Sequence, residues 1–87
     1  VRRSPSTLAS GMDETLFGLL RQRRKELADA AGIPPYIVFS DRTLVEMASA
    51  LPKSDEELLS ISGVGQVKLE RYGEEFLGVI RQYVKGR

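Results

Sequence analysis

The chain has 87 residues, 41% of them hydrophobic, and its 13 basic and 12 acidic side chains leave a net charge of +1. At this length one domain with a modest core is expected, and without a whole-surface basic field any nucleic-acid contact must use a local patch. The lack of cysteine and histidine excludes disulfides, thiolate chemistry, cysteine- or histidine-bound zinc and Ser-His-Asp catalysis, and no apolar run approaches the length that spans a bilayer.

Residues 1–13 read as a flexible linker, rich in Ser, Pro and Gly, with Arg2 and Arg3 but no signal-peptide stretch. With no initiator Met, the chain reads as a piece of a longer, cytosolic protein. The globule is expected over residues 14–87. Its first helix runs from Glu14 to Ala31, with Leu16, Phe17, Leu20, Leu27, Ala28 and Ala31 on one face and Gly32 as its stop. Arg24 falls inside that apolar face, so a snorkelling or ion-paired structural arginine is expected. Two prolines exclude an ordinary helix over Ile33 to Phe39, and with no second strand to pair with, the segment reads as a loop with a short tight turn.

Asp41 suits the N-cap of a second helix, Arg42 to Leu51, which Pro52 ends. Leu44, Met47, Ala48 and Leu51 form its inner stripe. Ser54-Asp55-Glu56-Glu57 is a capping box that opens a short third helix to about Ile61. Gln66 to Tyr72 reads as a fourth helix, Gly73 as a break or bend, and Glu74 to Lys85 as the fifth, with Phe76, Leu77, Ile80, Tyr83 and Val84 inward. The expected fold is all-α: a compact bundle of five short helices with a Gly-Val-Gly hairpin between the third and fourth.

The hairpin itself is the segment Ser60-Ile61-Ser62-Gly63-Val64-Gly65-Gln66. Gly63 permits left-handed geometry after a helix, and Val64 can plug the core. The same turn gathers backbone N–H groups beside a helix N-terminus, which suits a phosphate. Gly63, Gly65 and Gln66 are therefore candidates for phosphate contact, with Lys68 and Arg71 adding charge from the helix that follows. The bland alternative is a solvated face, since Glu70, Glu74 and Glu75 dilute that charge. On the first helix, Arg21, Arg23, Arg24 and Lys25 spread around the cylinder. Arg21 and Lys25 make the best phosphate pair, against a reading as solubilising charges paired with Glu14 or Asp29. Tyr36, on the proline-stiffened loop, can stack on an unpaired base or pack on the bundle with its hydroxyl outward. Taken alone, its residue context favours packing. The acidic pairs Glu56-Glu57 and Glu74-Glu75 diverge on their helices rather than converging for acid–base work.

Several segments together resemble the HRDC domain, named for helicase and RNase D C-terminal. They are Leu16-Phe17-x-x-Leu20-Arg21, Pro34-Pro35-Tyr36-Ile37-Val38-Phe39, Asp41-x-Thr43-Leu44, Leu51-Pro52, Leu58-Leu59-x-Ile61-x-Gly63-Val64-Gly65 and Lys68-x-x-x-Tyr72-Gly73. Their order and spacing cover Leu16 to Val84, and the Pro-Pro-Tyr loop looks most like the version at the C-terminus of bacterial RecQ helicases. The resemblance implies a five-helix, non-catalytic accessory domain without cofactors. It implies weak binding to DNA that is single-stranded or has single-stranded ends, and association with a helicase core in the same chain. It also implies a monomer in the bacterial cytoplasm, at the nucleoid, and it moves Tyr36 towards base stacking. Some relatives contact proteins instead, so two alternatives stand beside DNA binding. One is a protein-interaction module docking on the motor or a repair partner, which the near-neutral charge favours. The other is the tail of an RNA-processing nuclease.

Overall fold

Five helices and the turns between them are laid out in a computed structural model that describes residues 12–86; residues 1–11 of the linker expected over residues 1–13 lie outside the described residues. Helix α1 spans Glu14–Ala31. The Asp13 carboxylate accepts the Leu16 amide at 3.1 Å, which satisfies one of the amides a helix start leaves unpaired. At the other end Gly32 adopts φ 69°, and the amides of Gly32 and Ile33 close back onto Asp29 and Ala28 at 3.2 and 3.0 Å. The buried stripe of this helix is Leu16, Leu20, Arg24 and Ala28, a strict four-residue spacing that includes the one charge.

Helix α2 is the single turn Pro35–Val38. The sequence reading expected a loop with a tight turn here. The difference has a simple cause: proline lacks an amide hydrogen and has a preset φ, so it fits the first helical position even though it breaks a helix interior. The turn closes through the Ile37 amide on Pro34 at 3.0 Å and the Phe39 amide on Pro35 at 3.4 Å. Val38 and Phe39 enter the core, whereas Tyr36 and Ile37 stay exposed.

Helix α3 is Asp41–Ala50. Its cap is Ser40, whose hydroxyl accepts the Thr43 amide at 3.2 Å, and not Asp41 as expected. Asp41 becomes the first helical residue instead. The helix ends at Ala50, one residue earlier than expected, and Leu51 is its left-handed C-cap with φ 53°. Helix α4 is Asp55–Leu59. Its capping box is present: Ser54 takes the Glu57 amide at 3.1 Å, and the Glu57 carboxylate takes the Lys53 amide at 2.9 Å.

Helix α5 runs unbroken over Gln66–Lys85, so the expected break at Gly73 is corrected. Gly73 makes room for the Leu69 side chain one turn earlier rather than ending a helix. A Cβ there would stand 2.8 Å from Leu69 Cδ1 and 3.6 Å from Leu58 Cδ2. The number of helices agrees with expectation, but its make-up differs, with one turn gained at α2 and two helices fused into α5.

The core joins Leu16, Leu20 and Ala28 to Phe39, Leu44 and Met47, and to Leu58, Phe76 and Ile80. Each large side chain so buried contributes about 1.5–3 kcal/mol. Phe39 is its hinge point. Its ring meets Phe76 edge-on at 5.0 Å and Tyr72 at 6.0 Å. The two ends of the bundle also meet: the Tyr83 hydroxyl donates to the Asp13 carboxylate, 2.7 and 2.9 Å from its oxygens.

Candidate nucleic-acid interface

The α2 turn stands out from the surface as an apolar ridge. Tyr36 is 67% exposed and Ile37 43%, and the prolines before them are exposed as well. Tyr36 is thus a free aromatic ring on a stiff support, and it is not packed on the bundle.

Cations lie near both ends of this turn. Towards α1, a groove is lined by Arg21, Arg24 and Lys25 together with Gly18, Gln22, Pro35 and one acid, Asp29. The Arg21 guanidinium rests 5.7 Å from the centre of the Phe17 ring, and the Lys25 ammonium pairs with Asp29 at 2.9 Å. That pair is largely exposed on both sides, so water weakens it and an incoming phosphate can compete for the lysine. Arg23 takes no part in the groove; it reaches Glu26 at 3.2 Å and Glu75 at 3.7 Å. The basic cluster, expected to spread around α1 without forming one patch, is thus only partly spread: Arg21, Arg24 and Lys25 share this groove and Arg23 turns away.

Towards α5, the Lys68 ammonium sits 5.7 Å from the centre of the Phe39 ring. Phe39 directly follows α2, and Lys68 lies in the first turn of α5. This cation–π contact joins the α2 ridge to the hairpin end of α5, and it brings together two regions that are far apart in sequence. Arg71, one turn further along, is exposed, and among the described residues no carboxylate forms an ion pair with Lys68 or Arg71.

The hairpin has the expected geometry. Gly63 has φ 90°, and any Cβ there would run into Thr43 Oγ1. Val64 is buried, and its amide closes on Ile61 at 3.1 Å. The preceding peptide is gripped from α3, with Thr43 Oγ1 donating to the Ser62 carbonyl at 2.9 Å and the Ser62 amide donating to Glu46 at 3.2 Å. Gly65 is the N-cap of α5, which has no side-chain cap, unlike α1, α3 and α4. Helical bonding begins with the Leu69 amide on Gly65 at 2.9 Å, so the amides of Gln66, Val67 and Lys68 have no intrahelical acceptor. The Gln66 side chain turns along the helix to Glu70 at 3.4 Å, and so does not close that end.

Sequence reasoning missed the parts that hold this region together. Phe39 as the seat of Lys68, and Thr43 and Glu46 as the grip on the hairpin, depend on contacts between distant segments. Arg24 did leave a signal, a charge on an apolar stripe. Its Nη1 donates to the Phe39 carbonyl at 2.9 Å and pairs with Asp41 at 2.8 Å.

Comparison with known proteins matches residues 13–80 to the HRDC domain. The chain belongs to the HRDC family. This HRDC domain is 52% identical over 71 residues to the ATP-dependent DNA helicase RecQ of Haemophilus influenzae, covering 82% of the chain but 12% of the helicase. RecQ of Bacillus subtilis is 46% identical over 87 residues, which is 98% of the chain and 15% of that protein. The ATP-dependent DNA helicase UvrD2 of Mycobacterium tuberculosis is 39% identical over 91% of the chain and 11% of its own length. Among solved structures, the D. radiodurans RecQ HRDC domain 3 superposes with a TM-score of 0.77 at 33% identity, covering 79% of this chain and 91% of that one. The domain is thus closely similar to the HRDC domains of bacterial RecQ helicases, and it spans only a small part of the helicases it matches.

Proposed function

We propose that this HRDC domain is an accessory, non-catalytic DNA-binding unit of a RecQ-type ATP-dependent helicase in the bacterial cytoplasm. It engages single-stranded DNA weakly and so biases which structures the motor acts on. The observation that carries this reading is the exposed Tyr36 on the α2 turn, whose Pro35 borders the Arg21–Lys25 groove and whose C-cap Phe39 seats Lys68 of the uncapped α5 start. An unpaired base stacks on Tyr36, while phosphates meet Arg21 and Lys25 on one side and Lys68, Arg71 and the amides of Gln66–Lys68 on the other. This division of labour suits single strands, whose base faces are open to an aromatic ring. It also fits a domain of net charge +1 binding a polyanion through local cations, with phosphate displacing the exposed Asp29 from Lys25.

A chemical-shift titration with oligothymidylate at two salt concentrations tests the reading. Four side-chain cations on phosphates give a slope of log affinity against log salt of about −2 to −3. Between 50 and 200 mM salt the affinity then falls roughly 15- to 60-fold. Shifts should appear at Tyr36, Lys68 and the hairpin amides together. A spectrum unmoved by DNA would sink the proposal and favour the protein-docking alternative. That alternative draws on the groove between α1 and α5, where Leu19 and Val79 share the lining with Glu74 and Glu75.

A further inference from the structure

Helix α2 carries Tyr36, yet it is one turn long, and a single turn does not hold itself together in water. No side chain caps its start. Its two internal closures, Ile37 on Pro34 and Phe39 on Pro35, are not enough to fix a ring against solvent. Its far end is anchored in the core by Val38 and Phe39, and the polar contact that closes it comes from α1. Arg24 is 8% exposed, and its Nη1 lies 2.9 Å from the carbonyl of Phe39, the C-cap of α2. The same nitrogen lies 2.8 Å from Asp41 Oδ1, at the first residue of α3. One buried cation therefore sits where α2 ends and α3 begins, at the carbonyl end of a short helix, where positive charge is favourable.

Arg24 is an expensive residue for mere packing. Leu16, Leu20 and Ala28 fill the rest of its stripe with apolar groups. Its Nε is buried without a hydrogen-bond partner among the described residues. Replacing a buried ion pair with apolar side chains of similar volume is often neutral or stabilising. What an apolar residue cannot supply is a directional bond to the last carbonyl of α2.

We propose that Arg24 is the positioning residue of the DNA site: it locks α2 from below and so sets the orientation of Tyr36. This rests on the base-stacking reading above. Pro34 and Pro35 fix the start of the turn, Arg24 fixes its end, and Tyr36 is held between them. A ring fixed in this way meets a base with little further loss of freedom. Arg24 acts through Tyr36 and touches no DNA itself.

A double-mutant cycle tests the assignment, with oligothymidylate affinity as the readout and melting temperature as the control. Tyr36→Ala alone should weaken binding roughly fivefold, the lower end of what one stacked base is worth. Arg24→Met alone should weaken it to a similar degree. In the Tyr36→Ala background, Arg24→Met should cost nothing more. A loss that recurs in full in that background would mean Arg24 acts as a general charge or through the fold, and the proposal would fall. Wild-type affinity in Arg24→Met would also overturn it. If Tyr36→Ala itself binds like wild type, the base-stacking reading fails first and takes this inference with it. Should Arg24→Met not fold, Arg24→Lys keeps the charge and most of the stem but loses the planar fork. Its amides at Ile37 and Phe39 should exchange with solvent faster while those of α1 do not. Unchanged protection at those two amides would refute the lock.

Discussion

At Gly63, one hydrogen atom in place of a methyl group decides whether the hairpin can form. The backbone there has φ 90°, and the space a Cβ needs is already taken by Thr43 Oγ1. Gly63→Val should therefore be destabilised by about 1–3 kcal/mol from backbone strain alone, before the clash is counted. A thermal melt reads this directly, and a variant as stable as wild type would show that the hairpin can take another shape. Thr43 is the reason the hairpin tolerates no shift: its hydroxyl already holds the Ser62 carbonyl at 2.9 Å. Glycine's freedom at position 63 was legible in the sequence, because a helix end followed by Gly-Val-Gly has few other solutions. The neighbour that makes the position unforgiving was not, since it lies twenty residues earlier on another helix.

Helices show the same divide between local and distant causes. The caps at Ser54 and Gly32 follow from residues within four positions of each other, and each was readable in the chain, whereas Asp13, assigned to the linker, caps α1. The single turn at α2 was missed because two prolines signal both a break and a start, and only burial of Val38 and Phe39 selects the start. The unbroken α5 was missed because Gly73 costs a helix about 1 kcal/mol, a penalty that packing against Leu58 and Leu69 offsets. Gly78 carries the same penalty with nothing within 4 Å of where its Cβ would sit. Gly78→Ala should accordingly raise the melting temperature by roughly 4–8 °C. Gly73→Ala gains the same propensity but must push the Leu69 side chain aside, so its melting temperature should fall below that of Gly78→Ala. Equal gains from both would mean that the crowding against Leu69 has no role.

For the molecule as a whole, the interface is assembled from four helices by two unlike contacts. The Lys68–Phe39 pair ties α5 to the ridge, and the Arg24 bridge ties α1 to α2 and α3. Composition could supply the candidates for the site but not their adjacency, which exists only once the core around Phe39 has formed. A separate contact closes the fold. The Tyr83 hydroxyl bonds the Asp13 carboxylate across 70 residues of chain. Tyr83→Phe keeps the ring and removes that bond, so it should cost about 1 kcal/mol and melt roughly 4–8 °C lower, with DNA affinity unchanged; a melt identical to wild type would mean that the bond adds nothing. Its position has a mechanical consequence as well. Because residue 13 and residue 83 touch, anything attached before and after the bundle leaves from one edge. The domain then hangs as a pendant instead of serving as a spacer in line with the chain. Tension along the backbone would load the contacts where α1 begins and α5 ends, the tyrosine–carboxylate bond among them, ahead of the groove, ridge and hairpin.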